Sequence, residues 1–302
     1  MFLWRVIQHL VISIRQIFRM AFDFTVISFF RRTKSYYFPA HVDEGSSDTL
    51  FSSPFFDKET WEWVLKKIDE LKLAPDTLGV HVFNPYWDAR RITITLNYIR
   101  HFNLARGVVV EIGSPSYLAS RIIWSAFPDV SPIFTANDLR FEPIPVADNT
   151  ADSIICLEVI EHLSDWPYLE ATTLNGLFFF LEEVWRVLKP GGRALFTTPN
   201  ANSLWVISRA LRGEPPMLYD WHFREYTVSE ISQILNYVGF RIVELRTEYV
   251  WHLWDFGPIV QFMKQNGFDL KMRGDDIFVV ATKPWMRIRI PHTLRLPVAQ
   301  SK

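Results

Sequence analysis

Short β-branched runs alternate with helix-forming stretches from Gly107 onward, and this alternation leaves the chain few architectures to choose from. Val108-Val109-Val110-Glu111-Ile112-Gly113 is an apolar run ended by glycine. Such runs suit a strand covered on both faces of a parallel sheet. A helix is predicted over 116–127, with Pro128 beyond its end. Strands are predicted at 133–136, 151–157 and 193–198, with a helix over 174–188 closed by Lys189-Pro190-Gly191-Gly192. A helix over 227–238 opens on Thr227, with Glu230 at the capping-box spacing, and Gly239 closes it. Strands at 240–250 and 276–282 complete the series. Strands that alternate with helices imply an α/β fold with a doubly wound sheet, whose ligands bind beyond the carboxyl ends of the strands. That rule directs attention to 111–117, Asp138, 157–162 and 199–202.

Five sequence blocks in this region carry a family likeness. Pro143-Ile144-Pro145-Val146-Ala147-Asp148-Asn149-Thr150-Ala151-Asp152 comes first, followed by Leu157-Glu158-Val159-Ile160-Glu161-His162-Leu163. Next stand Trp185-Arg186-Val187-Leu188-Lys189-Pro190-Gly191-Gly192 and Thr197-Thr198-Pro199-Asn200. Phe223-Arg224-Glu225-Tyr226-Thr227, with Val238-Gly239-Phe240, is the last. In content, order and spacing they resemble the class I S-adenosylmethionine-dependent methyltransferases of types 11 and 23.

The resemblance implies a Rossmann-like sheet of seven strands, the last antiparallel, with S-adenosylmethionine as cofactor. It aligns Glu111, Gly113 and Ser114 with the start of a glycine-rich cofactor loop. Pro115 and Tyr117 stand where that loop has further glycines. Glycine permits tight turns and close approach of the backbone to a ligand, whereas proline fixes φ and removes a donor. Either the loop binds the cofactor in a changed way or binding is lost. Asp138 ends the second strand, where the family has an acid for the ribose hydroxyls. The short span to Asp152 leaves a second assignment open, to a later acid near the adenine, and an ordinary loop cap is a third. Leu157 and Glu158 fall near the methionine part of the cofactor. Glu161 and His162 either organise the adjacent turn or, for His162, supply a general base, since histidine titrates near neutrality. His222 is a second candidate base, on the acceptor side. The function implied is methyl transfer to an oxygen or nitrogen acceptor, with a catalytically inactive binding or scaffold protein as the alternative.

Other chemistries find no support. The eight histidines are scattered without an H-E-x-x-H pattern, and Cys156 is the single cysteine, so no metal site is expected. The full G-x-G-x-x-G and G-x-S-x-G patterns are absent, which argues against nicotinamide enzymes and hydrolases. A net charge of -1 gives no sign of a nucleic-acid partner. One cysteine suits a reducing, cytoplasmic setting.

Residues 1–35 read as a cationic amphipathic helix. Leu3, Trp4, Ile7, Leu10, Ile14, Phe18 and Phe22 share one face, and Arg5, Arg15 and Arg19 fall on the other. Arg15 and Arg19 interrupt any membrane-spanning window. The segment suits an anchor in an anionic membrane interface, on the inner face, or a helix packed on protein. Residues 36–105 read as a helical lead-in, with helices over 60–73 and from Pro85 to Phe102. Residues 106–284 form the methyltransferase-like domain, and 285–302 form a basic tail. A lipid- or glycan-linked acceptor, or another small molecule, is the expected partner.

Overall fold

A computed structural model describes residues 52–71, 85–163, 174–219, 222–251 and 256–287. All of them belong to one compact unit, Asp48–Lys302. The expected helix within 1–35 and most of the basic tail lie outside the described residues.

Two helices lead in. The first, α1 (Lys58–Leu71), starts where Asp57 accepts the backbone N–H of Thr60 at 2.8 Å. A 3-10 turn at Pro85–Asp88 opens the second, α2 (Ala89–His101). The alternating domain then runs β1 (Val109–Ile112), α3 (Leu118–Ser125), β2 (Ile133–Thr135) and β3 (Ala151–Leu157), followed by a 3-10 turn at Ile160–His162. It continues through α4 (Asn175–Val187), β4 (Leu188–Pro199), α5 (Leu204–Leu211), α6 (Val228–Val238), β5 (Arg241–Glu248), α7 (Gly257–Gln265) and β6 (Asp276–Thr282).

The strands form one sheet in the order β2-β1-β3-β4-β6-β5. Strands β1 to β4 pair parallel, and β6 enters antiparallel between β4 and β5. Alternate side chains of a strand point to opposite faces. Val110, Ile154, Cys156, Phe196 and Val279 accordingly meet Phe180, Val184, Ile231 and Leu235 of α4 and α6. Val109, Ile155, Leu195, Phe278 and Val280 meet Ile68, Ile92, Leu96 and Ile122 of α1, α2 and α3. Both faces are dry, as the continuous apolar runs require, and each fully buried aliphatic or aromatic side chain stabilises by about 1.5–3 kcal/mol.

The sheet has six strands among the described residues, one fewer than the family resemblance implied. Between Asp138 and Ala151 the chain forms turns. Their backbone groups bond to α4 and not to a neighbouring strand. Arg186 donates to the carbonyls of Ile144 and Val146 (both 2.9 Å), and Glu183 accepts the N–H of Ile144 at 3.0 Å. With these groups satisfied by side chains of α4, Ile144 and Val146 do not extend the ladder beside β2. The Lys189–Gly192 stretch, expected to close the helix before the strand at 193–198, is itself the irregular start of β4, stitched to Lys283 by bonds of Gly191 N–H (2.7 Å) and the Gly192 carbonyl (3.0 Å). Helices α5 and α7 had no counterpart in the sequence reading.

Candidate active site

The parallel strands present their carboxyl ends along one edge, and the expected site residues divide there into three groups.

Beyond β1, Gly113 has φ +145 and donates its N–H to the Thr135 carbonyl at 2.8 Å. Positive φ of this kind favours glycine. The ring of Tyr117 lies alongside, 3.7 Å from where a Cβ on Gly113 would sit, and is half exposed. Ser114 turns inward on its own loop, its hydroxyl accepting the N–H of Ser116 at 3.3 Å. Glu111 shares strand parity with Val109, so its side chain points to the face covered by α3. There both carboxylate oxygens are taken, one by the hydroxyl of Ser120 and one by the indole N–H of Trp124. Burial raises its pKa above the usual carboxylate value, opposed by those two bonds.

Beyond β2, Asp138 is clamped by Arg140, whose Nε and Nη2 reach its two oxygens at 2.8 and 2.7 Å. These bonds hold the carboxyl below its ordinary pKa. The pair is partly exposed, with 40% of the Asp138 side chain open to solvent.

Beyond β3 and β4 lies a group of carboxylates, Glu158 partly buried and Glu161 and Asp276 buried. Leu157 pairs in register with Thr197, and the next residue, Glu158, takes φ +54. The hydroxyl of Thr197 donates to Glu158 at 2.6 Å, and that of Thr198 donates to Glu161 at 2.9 Å. Asp276 opens β6 directly opposite Pro199, fully buried, and neither of its oxygens has a hydrogen-bond partner among the described residues. Arg91, on α2, is bound to Asp88 at 3.0 Å and its field acts on Glu158, Glu161 and Asp276, with His222 adding to it at Glu158. One guanidinium does not balance three carboxylates. Desolvation therefore raises the pKa of all three.

Both candidate bases stand at this end. His222 is held by Glu225, Nδ1 to Oε1 at 2.7 Å, with 8% of its side chain exposed. His162 is half exposed, and its ring meets that of His222 edge to face at 5.0 Å. Burial, with the neighbouring His222, lowers the His162 pKa. The sequence reading missed Arg91 and Asp276, and quoted Thr197, Thr198 and Glu225 only within blocks of family likeness, without a role at the site. For Asp276 the signal was Asp275-Asp276, two acids opening an apolar strand.

A family model described as a methyltransferase domain matches residues 90–245. A probable S-adenosylmethionine-dependent methyltransferase of Mycolicibacterium smegmatis is 30% identical over 99 residues, which is 33% of this chain and 32% of the relative. The match thus spans about a third of that relative's length. Among solved structures, a SAM-dependent methyltransferase from Archaeoglobus fulgidus is similar at 15% identity and TM-score 0.45, over 66% of this chain and 98% of that one. The N-methyltransferase NodS from Bradyrhizobium japonicum, in complex with S-adenosyl-L-homocysteine, is similar at 14% identity and TM-score 0.40, over 75% and 100%. Matched across half of its length by the family model, with the strand order described above, the chain belongs to the methyltransferase-domain family.

Proposed function

We propose that the protein is an S-adenosylmethionine-dependent methyltransferase acting on an oxygen or nitrogen acceptor. The observation that carries the reading is Gly113. It keeps the backbone of a cofactor-loop glycine at the carboxyl end of β1, inside the matched region. The residues present fit the cofactor. A Cβ on Gly113 would meet the edge of the Tyr117 ring at ordinary contact distance, and the partly exposed Asp138 carboxylate, though bonded to Arg140, has acceptor oxygens suited to a diol. Leu157 and Glu158 are candidates for the methionine end. The cofactor supplies a sulfonium, which leaves readily as a neutral thioether. The chain's task is then to orient the acceptor and exclude water, and positioning of this kind accounts for much of the rate. In this reading His222 is the acceptor-side candidate base, and His162, whose ring meets it at 5.0 Å, is the other candidate base.

Calorimetric titration with S-adenosylhomocysteine tests this reading. Micromolar binding is expected, and folded protein that binds nothing at millimolar ligand overturns it.

A second reading, a methyltransferase-like binding protein without catalysis, draws on two observations. Tyr117 lies over Gly113, and Arg140 already fills the carboxylate of Asp138. Pro115→Gly with Tyr117→Gly separates the two. Stronger cofactor binding marks a degraded loop, and weaker binding marks one rebuilt around the ring.

We further propose that residues 1–35 lie in an anionic membrane interface and bring the domain to a lipid- or glycan-linked acceptor. The arginine face and aromatic face of that segment support this. Among the described residues no helix is long and apolar enough to cross a membrane. Arg287, counted with the basic tail, is docked on the domain through Glu182 (2.6 Å) and the Val238 carbonyl. Removing residues 1–34 should release the protein from anionic liposomes in flotation, and equal flotation of the shortened chain defeats the idea.

A further inference from the structure

Glu161 and His162 lie on the 3-10 turn after β3, and His222 lies on a loop far along the chain. The backbone N–H groups of Phe223 and Arg224 both donate to the Glu161 carbonyl, at 3.1 and 3.3 Å. The two segments are therefore fastened by main chain, before any side-chain contact is considered. Each of the three residues offers a ligand-capable atom, and these atoms lie within 4.8 Å of one another.

Two details point to a positive ligand. The Glu161 side chain is fully buried at 0% exposure. Thr198 occupies Oε2, while Oε1 has no hydrogen-bond partner among the described residues and lies 3.7 Å from Nε2 of His162. A buried carboxylate oxygen without a partner is costly, and the nearby Glu158 adds a like charge. The second detail is the bond from His222 Nδ1 to Glu225, whose carboxylate also accepts the N–H groups of Leu218 (2.7 and 2.8 Å) and Tyr219 (3.1 Å). A carboxylate that takes the Nδ1 proton fixes the ring and leaves the lone pair on Nε2. This is the outer-shell arrangement typical of metal-bound histidine.

We propose that Glu161, His162 and His222 bind a divalent transition-metal cation. Two imidazoles and one carboxylate suit zinc or manganese better than calcium, which takes an all-oxygen shell. Metal–ligand bonds of about 2.0–2.2 Å bring such atoms closer than they stand here, so the side chains shift on binding. Three protein ligands leave a position open for water or another small oxygen ligand, and the half-exposed His162 marks the open side.

The test uses the full chain, freed of metal with EDTA and titrated calorimetrically with Zn2+ or Mn2+ alone. One equivalent should bind, at micromolar Kd or tighter. His162→Ala and His222→Ala should each weaken binding at least about ten-fold, and Glu225→Gln, behind His222, by about 10–100-fold. Because His162 is half exposed, His162→Ala should keep the metal-free melting temperature while losing the rise that metal gives the parent protein. Two results would overturn the proposal: no stoichiometric uptake by folded parent protein, or uptake unchanged by both histidine substitutions. No S-adenosyl ligand enters the titration, so this site and the methyl-transfer reading stand or fall separately.

Discussion

Arg140 places two guanidinium nitrogens on the two oxygens of Asp138, at 2.8 and 2.7 Å, so the acid in the loop after β2 already carries a cation. A ribose at this position has to compete with that guanidinium. Partly exposed ion pairs contribute little to stability, about 0.2–1 kcal/mol. Arg140→Ala should therefore fold normally and bind S-adenosylhomocysteine several-fold tighter. Asp138→Asn should bind about ten-fold more weakly, a loss of about 1.4 kcal/mol. Calorimetry reads both, and equal affinities in all three proteins would place the ribose elsewhere.

Gly113 makes the second prediction. Its neighbour Tyr117 lies at an ordinary contact distance, so space does not forbid a methyl group there. The backbone does, since φ is +145. Gly113→Ala should cost about 1–3 kcal/mol in urea unfolding and also weaken S-adenosylhomocysteine. A variant as stable as the parent would show that the loop relaxes freely.

Asp275 gives a pH dependence with a definite sign. Burial raises its carboxyl to about 7, against the bonds from the N–H groups of Trp251 and Val250 and the field of Arg90, while Asp276 beside it is a like-charged neighbour. The folded pKa is above the ordinary 3.8, so the folded state holds the proton more tightly. Its stabilising contribution is full below pH 3.8 and is lost as pH rises through about 7. Asp275→Asn imitates the protonated form and still accepts from the backbone. Thermal melts from pH 4 to 8 should show the parent losing stability relative to this variant. Parallel profiles would refute the assignment.

Thr227 and Glu230 close a capping box at the start of α6. The Thr227 hydroxyl accepts from Glu230 N–H at 3.2 Å, and Glu230 accepts from Thr227 N–H at 2.8 Å. Thr227→Ala should cost about 1 kcal/mol. In urea the midpoint should fall with the slope unchanged, and an unaltered midpoint would mean the cap adds nothing.

Much of the scaffold is written locally. The strand at 276–282 was legible to the residue, because seven consecutive residues, all but the first and last apolar, fit a strand buried on both faces. The six strands also came from the residues, whereas the seventh came from family likeness and is not formed among the described residues. The reason is Arg186, which bonds to the Ile144 and Val146 carbonyls from a distant helix, and no window of sequence announces such a bond. Helix α5 went unread although Ser203 caps it, its hydroxyl accepting from Val206 N–H at 3.1 Å. The reading of that stretch was confined to the loop after the Thr-Thr-Pro-Asn block.

By itself the sequence determined the alternation of strands and helices, the apolar faces, the caps and the family, since these depend on neighbours along the chain and on periods of 2.0 and 3.6 residues. Only the tertiary structure decided where the polar atoms point. Strand parity sends Glu111 to Ser120 and Trp124 on α3. The crossing of β3, β4 and β6 gathers Glu158, Glu161 and Asp276 under one arginine. Main-chain bonds from Phe223 and Arg224 carry His222 to His162 across a long stretch of chain. Charge and coordination act through space at a few ångströms, and folding, not spacing in the chain, sets those distances.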